Sequence, residues 1–166
     1  MLRIVDVLHS MSATARDHSE YDLQDVEGLV RLLRDFGDGF HQTKEEDALF
    51  PVFMTVCDAT QYADVRHMLF EHQQDRALMG GLAEAVARSN AVQFAEYASR
   101  LAAVLQNHIF KEDNTLFQTI NGRLSAEDDA RVIAKFESFD RAFASQKAEL
   151  LKQLRHLEWR YLRKIA

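Results

Sequence analysis

The segment HQTKEEDALF at residues 41–50 recurs at residues 108–117 as HIFKEDNTLF. The two copies share the pattern H-x-x-K-E-[ED]-x-x-L-F. In each copy the histidine precedes the glutamate by four residues, so both side chains leave the same face of a helix one turn apart. The repeat therefore predicts two helices, each with a histidine–glutamate pair on one face.

Apolar residues recur at helical spacing on both sides of the two copies. This spacing predicts five helices, over about 1–17, 22–53, 60–87, 91–120 and from Ser125 to the C-terminus. Only one proline and six glycines occur in 166 residues, which argues against the many tight turns of a β-sandwich or barrel. We therefore predict an all-α fold: an up-down-up-down four-helix bundle over residues 1–123, followed by an additional long C-terminal helix over residues 124–166.

Composition and charge exclude several classes of function. Twenty lysines and arginines against 26 aspartates and glutamates give a net charge of −6, which argues against broad nucleic-acid binding. The single cysteine, Cys57, cannot form an internal disulfide or a cysteine-based zinc site. No apolar stretch is long enough to cross a bilayer, and the N-terminus lacks the apolar run of a signal peptide, so we expect a cytoplasmic protein. Phosphate-loop, hydrolase and metalloprotease motifs do not occur.

Both histidine–glutamate pairs face the predicted core. His41 is in phase with apolar residues of its own helix, Glu45 is in phase with Leu49, and His108 continues an apolar stripe. His72 lies on the apolar stripe of the third helix and is expected to face the same interior. Buried carboxylates and imidazoles are costly unless they are paired or bind a metal. Three imidazoles with two carboxylates favour iron, manganese or zinc over magnesium or calcium.

Other interpretations of these residues remain open. A histidine four residues before a glutamate is commonly a surface pair, and His72 alone could be a hydrogen-bonded core residue. The acidic neighbours Glu46, Glu71 and Asp113 are expected at the surface or beside the ligands, although Asp113 competes with Glu112 for one bridging role. Two more histidines are expected in solvent, namely His67 and His156.

These motifs resemble the hemerythrin-like (HHE cation-binding) family over about residues 1–140. The resemblance rests on the two repeat copies and on the glutamate–histidine pair at 71–72, which an arginine follows at residue 76. It implies a four-helix bundle with a non-haem di-iron centre bridged by two carboxylates. The implied metal ligands are His41, Glu45, His72, His108 and Glu112, with the two glutamates bridging. Ferritin-like di-iron bundles use Glu-x-x-His pairs, and no histidine here has a glutamate three residues before it.

The chain departs from that family at two positions. Oxygen-carrying hemerythrins have a second histidine four residues after the one on the third helix, where this chain has Arg76. The family also supplies a histidine from the first helix. Here His9 lies about 15 Å too far along its helix to reach the depth of His41.

We therefore expect two metal positions of unequal strength. His72 and His108 would serve one tightly held iron, whereas His41 alone would serve a second, labile iron that purified material can lack. The missing donor would be water, a buffer anion or a residue upstream of Met1. The alternative is a shifted first helix that brings His9 level with His41.

The predicted function is the binding or sensing of O₂ or a related small oxidant at this di-iron site. The alternatives are a di-iron oxidase, a peroxidase-like or NO-handling enzyme, and a scaffold protein whose degenerate site holds one metal or none. Four phenylalanines are expected to keep water from the site, unless they only pack the core. They are Phe36, Phe40, Phe50 and Phe110.

The C-terminal segment carries an apolar stripe of its own among basic side chains. The stripe consists of Leu150, Leu154, Leu157, Tyr161 and Ile165. We expect it to pack against a partner, most simply a second copy of the chain in a homodimer. Packing back on its own bundle, and binding to a membrane surface or an acidic partner, are the alternatives.

Overall fold

The computed structural model describes residues 1–18 and 21–162. Every regular element in these residues is a helix and no strand occurs among them, which confirms the all-α prediction. Five helical rods follow one another along the chain. They are α1 (Leu2–His18), α2 (residues 23–53), α3 (Ala59–Ala87), α4 (residues 91–121) and α5 (Ala126–Tyr161). None of these described helices has the length and apolar character that crossing a membrane requires.

The rods α2 and α4 combine α-helical and π-helical turns. In α2 the α-helical segments are Leu23–Arg31 and Phe50–Phe53, and the π-helical ones are Leu32–Gln42 and Glu45–Leu49. In α4 the π-helical segment Glu112–Leu116 lies between Ala91–Lys111 and Phe117–Asn121. In each repeat copy a π-helical segment thus begins at the shared glutamate and ends at the shared leucine. π-helical turns are rare and frequently occur at functional sites.

Side-chain caps determine where two of the helices begin. Before α3, the Asp58 carboxylate accepts hydrogen bonds from the backbone N–H groups of Thr60 and Gln61, and the Gln61 side chain accepts one from Asp58 N–H. Before α5, Ser125 and Asp128 form the same reciprocal arrangement. Such capping boxes satisfy N–H groups that have no partner inside the helix, so they define the start of each helix.

Two apolar clusters lie on either side of a polar layer. The larger cluster draws on all five rods and includes Leu105, whereas the smaller one includes Leu116. His108 and Glu112 lie between these two leucines along α4. The polar residues of the repeat are therefore held in a layer that apolar packing closes on both sides.

The apolar stripe of α5 packs against its own bundle. Leu150 and Leu157 are buried in the larger cluster, and Tyr161 is partly buried against it. Ile165, the last residue of the predicted stripe, lies outside the described residues. Because the chain itself covers the stripe, the stripe gives no support to a homodimer, and the alternative of packing back on the bundle is the arrangement observed.

A polar contact fastens the end of α5 to the start of α2. The buried carboxylate of Asp25 lies 3.0 Å from His156 Nε2 and accepts a 2.8 Å hydrogen bond from the Tyr161 hydroxyl. Arg160 pairs with the same carboxylate and with that of Asp22. His156 is exposed to solvent, as expected, and one of its ring nitrogens also contacts the buried Asp25 carboxylate.

Candidate metal centre

Four side chains of the polar layer converge on one point. Glu45 comes from α2, His72 from α3, and His108 and Glu112 from α4. Each of the four is 3% exposed or less. One donor atom from each lies within 4.8 Å of the donor atoms of the others, so the group could hold a metal ion.

The separations of the donor atoms suit one metal ion. His72 Nε2 lies 3.2 Å from His108 Nε2 and 3.4 Å from Glu45 Oε2, and His108 Nε2 lies 3.0 Å from Glu112 Oε1. Atoms that each lie about 2.0–2.2 Å from one ion are about 3.0–3.5 Å apart. Glu45 Oε2 and Glu112 Oε1 are buried, and neither accepts a well-aligned hydrogen bond among the described residues, although His108 Nε2 lies 3.0 Å from Glu112 Oε1. A cation between the four side chains would satisfy both oxygens.

His41 lies beside this group rather than within it. Its Nε2 is 3.7 Å from Glu45 Oε1 and 4.0 Å from Glu112 Oε2. In each glutamate, this oxygen is not the one that lies near His72 or His108. Each glutamate therefore has one oxygen beside the histidines of α3 and α4 and the other beside His41.

Two carboxylates outside the centre contact the Nδ1 atoms of the two buried histidines. Glu46 Oε1 lies 2.7 Å from His72 Nδ1, and Glu71 Oε2 lies 3.0 Å from His108 Nδ1. When Nδ1 donates its hydrogen to a carboxylate, the Nε2 lone pair is free to bind a metal. Glu46 and Glu71 were expected either at the surface or beside the ligands, and the structure places both beside the centre.

The choice between the adjacent acids of α4 follows from their burial. Glu112 is 1% exposed and faces His108, whereas Asp113 is exposed to solvent. The two side chains differ by about 100° around the helix axis. Packing of α4 therefore directs Glu112 into the layer and Asp113 outward.

Protonation differs between the two parts of the site. Burial lowers the pKa of His41 to about 4, so its imidazole is neutral near pH 7. Burial also acts to lower the pKa of His108, but pairing with Glu112 and Glu71 outweighs it and raises the pKa to about 9. Burial, with the nearby charge of Glu112, raises the pKa of Glu45. Without a cation the layer therefore retains protons that a bound metal would displace.

One side of the centre opens to a cavity of about 380 Å³. His41 and Glu112 lie on its wall, together with Met1, which directly precedes α1, and Phe36 from α2. The His41 side chain is 32% exposed, whereas that of His72 is fully buried. The centre is therefore open to solvent on the side of His41.

The first helix meets the centre at Met1 and not at His9. Met1 lies on the cavity wall with His41, and its methyl group lies close to Gly37 of α2. His9 is exposed and lies eight residues, or about 12 Å, further along α1. The described part of α1 therefore brings no histidine to the centre, in agreement with the depth argument.

The family model described as the Hemerythrin HHE cation binding domain matches residues 1–120. The chain belongs to this family. The match covers both repeat copies and α3, and it therefore includes the buried group that could hold a metal. It ends before α5, short of the expected resemblance to about residue 140. No curated protein and no solved structure matches the chain.

The phenylalanines expected to shield the hemerythrin centre have different surroundings. The Phe50 ring stacks against the His72 imidazole, with ring centroids 6.0 Å apart. Phe40 stacks on Phe143 of α5, and Phe36 lines the cavity. Phe110 is 64% exposed, so the expectation that it keeps water away is wrong. Its side chain points outward because His108 and Glu112 occupy the inner face of that turn.

One buried acid beside this hemerythrin-family centre was not predicted from the sequence. Asp75 is fully buried, and its Oδ2 accepts a 3.1 Å hydrogen bond from Gln42 Nε2. Burial raises the pKa of Asp75 to about 6. Its position three residues after His72, on the same helix face, was a signal that could have found it.

Proposed function

We propose that this hemerythrin-family protein binds two irons and uses them to bind or sense O₂ or a related small oxidant. The observation that carries the proposal is the placement of Glu45 and Glu112. Each has one oxygen within 3.4 Å of a buried histidine and the other within 4.0 Å of His41 Nε2. A carboxylate with donors on both sides is suited to bridge two metal ions.

The two proposed positions differ in their donors. His72, His108 and one oxygen from each glutamate provide four donors for the first ion. His41 and the two remaining oxygens provide three for the second. Fewer donors, and an imidazole that is one-third exposed, favour a weaker and more exchangeable second ion.

The surroundings support small-molecule binding at the second position. The cavity gives access beside His41, whereas the Phe50 ring covers His72. Glu46 and Glu71 hold the two buried histidines with Nε2 toward the centre. Iron, when bound there, would supply redox chemistry and coordination positions that the protein leaves open.

An anaerobic titration of the metal-free protein with Fe(II), followed by exposure to O₂, tests this proposal. We expect two irons per chain with unequal affinities, and an absorption band that appears with O₂ and disappears on its removal. The variant His41→Ala should retain one iron and lose the response to O₂. The matched control His9→Ala, at an exposed histidine, should behave as the unaltered chain.

Each other outcome selects a different interpretation. Continuous consumption of O₂, peroxide or NO with an added reductant would favour the oxidase, peroxidase-like or NO-handling enzyme. Absence of iron uptake would overturn the proposal in favour of a scaffold protein. Loss of one iron in His9→Ala would show that α1 supplies a ligand. Parallel titrations with Mn(II) and Zn(II) test the identity of the metal.

We propose two further features of this protein. Residues 1–123 are taken as the metal-binding bundle, and residues 124–166 as a separate C-terminal segment whose described helix, α5, packs on that bundle. The proposed site of action is the cytoplasm, since the only cysteine does not require an oxidising compartment.

A further inference from the structure

Arg76 lies one helical turn after His72 on α3 and faces two carboxylates of α2. Its Nε donates a 2.7 Å hydrogen bond to Asp38, and its Nη2 donates a 2.8 Å hydrogen bond to Glu46. The planar guanidinium therefore spans two acidic side chains of the neighbouring rod. A fork of this kind fixes its partners more rigidly than a lysine ammonium does.

The oxygen of Glu46 that Arg76 contacts also contacts His72. Glu46 Oε1 lies 2.7 Å from His72 Nδ1. The chain of contacts thus runs from Asp38 through Arg76 and Glu46 to a fully buried imidazole. Its effect is to hold the His72 hydrogen on Nδ1, which leaves the Nε2 lone pair directed at Glu45 and His108.

The other buried histidine is held by a different kind of group. Glu71, which contacts His108 Nδ1, is itself paired with Lys111 and with the exposed His67. Glu71 is therefore held by a flexible lysine and by a histidine, both at the surface. The support of His72 comes from one arginine, which keeps its charge at every physiological pH.

We propose that Arg76 is a positioning residue of the metal centre, which acts through Glu46 to orient His72. The inference rests on the proposed function, because it concerns the same centre. In this chain the residue that stands in place of a histidine ligand thus supports a ligand instead of providing one.

The first test needs no metal. In the metal-free protein, ¹⁵N NMR reports which nitrogen of the neutral His72 imidazole carries the hydrogen. We expect hydrogen on Nδ1 in the unaltered chain and a mixture of the two forms in Arg76→Ala. Arg34→Ala is the matched control, since Arg34 pairs with Asp35 and lines the same surface cavity as Arg76. An unchanged His72 spectrum in Arg76→Ala would overturn the proposal.

The second test measures affinity for the first Fe(II) by competition with a chelator. Arg76→Ala should weaken it by about 10- to 100-fold, the usual cost of removing such a supporting contact. Arg76→Lys, which keeps the charge but not the fork, should lie between this variant and the unaltered chain. If circular dichroism shows that Arg76→Ala does not fold, Arg76→Lys serves as the test instead. Full affinity in Arg76→Lys would then overturn the proposal.

A double variant separates positioning from a general structural role. If Arg76 acts through Glu46, the loss caused by Arg76→Ala should largely vanish in a Glu46→Gln background. Additive losses would overturn the proposal. The two proposals fail in distinguishable ways: if the unaltered chain bound no iron, the proposed function would fail, and the NMR test would still decide the role of Arg76.

Discussion

The two copies of the repeat bring the same pair of side chains to the centre and surround them differently. In the second copy, His108 is 2% exposed and Glu71 holds its Nδ1. In the first copy, the His41 side chain is 32% exposed and borders an open cavity. The four-residue spacing fixes the direction of each side chain, but the neighbouring helices determine how deeply each side chain is buried and which groups contact it.

The lysine shared by the two copies shows the same contrast. Lys111 pairs with Glu71, beside the ligands. Lys44 pairs with Asp140 of α5 at 3.2 Å, and its ammonium lies over the rings of two phenylalanines. One copy therefore uses its lysine to support the metal centre, and the other uses it to fasten α5 to the bundle.

The largest effect is expected from removing the histidine of the second copy. His108→Ala deletes one of four converging donors and leaves Glu71 and Glu112 without their common partner. Tight Fe(II) binding should weaken by at least about 100-fold, the upper end of the cost of supporting contacts. The same substitution in the first copy, His41→Ala, should leave the tight ion in place. Chelator competition measures both, and equal losses would contradict the contrast.

A pH dependence follows from the different protonation of the two copies. The pKa of His108 is raised to about 9 in the metal-free protein, so a proton must leave before Nε2 can bind a metal. Affinity at the tight position should therefore rise about tenfold per pH unit between pH 6 and 8 for each proton released. His41, with its pKa lowered to about 4, releases none in this range. Calorimetry in buffers of different protonation enthalpy measures the release, and an affinity that is constant with pH would refute it.

The paired lysines offer a smaller but closely matched test. Lys111→Ala should weaken tight Fe(II) binding by about tenfold, because Glu71 loses the cation that holds it beside His108. Lys44→Ala should leave metal affinity unchanged and lower the free energy of unfolding by about 1 kcal/mol or less. Chelator competition and urea denaturation separate these effects. A change of metal affinity in Lys44→Ala would show that the two copies are less different than their contacts indicate.

The smallest effect is expected from changing Asp75, the partner of Gln42. Gln42 belongs to the first copy, and the second copy has Ile109 at the corresponding position. Gln42 donates to Asp75, whose pKa burial raises from 3.8 to about 6. Ionised Asp75 therefore destabilises the metal-free fold as pH rises from about 4 to about 6, by up to about 3 kcal/mol above that range. Asp75→Asn removes this cost but buries amide hydrogens without an acceptor, so we expect a net gain of about 1 kcal/mol at pH 7.5.

Urea denaturation of the metal-free protein at two pH values checks that expectation. The gain from Asp75→Asn should be present at pH 7.5 and absent at pH 4.5, where Asp75 is protonated in the folded chain. The same stability difference at both pH values would show that the buried carboxyl does not titrate as described.

The helices and the inward direction of the candidate ligand side chains could be predicted because both depend on short-range spacing. Apolar residues at helical intervals give the rods, and two copies of one pattern give His41, Glu45, His108 and Glu112 a common direction. His72 followed from its place on an apolar stripe. None of these predictions needed knowledge of which helices are neighbours.

The features that the sequence could not predict depend on contacts between rods. The π-helical segments that start at both repeat glutamates do not change the apolar pattern that predicts a helix. The outward position of Phe110 and the pairing of His156 with Asp25 depend on how α4 and α5 are rotated against the bundle. The sequence shows that α5 has an apolar stripe but not what covers it. The structure shows that the chain's own bundle covers this stripe.

Anomalous X-ray diffraction at the iron edge, from crystals loaded with Fe(II), tests the central claim most directly. We expect two peaks, a strong one among His72, His108, Glu45 and Glu112 and a weaker one beside His41. Partial removal of iron with a chelator should reduce the peak beside His41 first. Two peaks of equal height that fade together, or a single peak beside His41, would contradict the account.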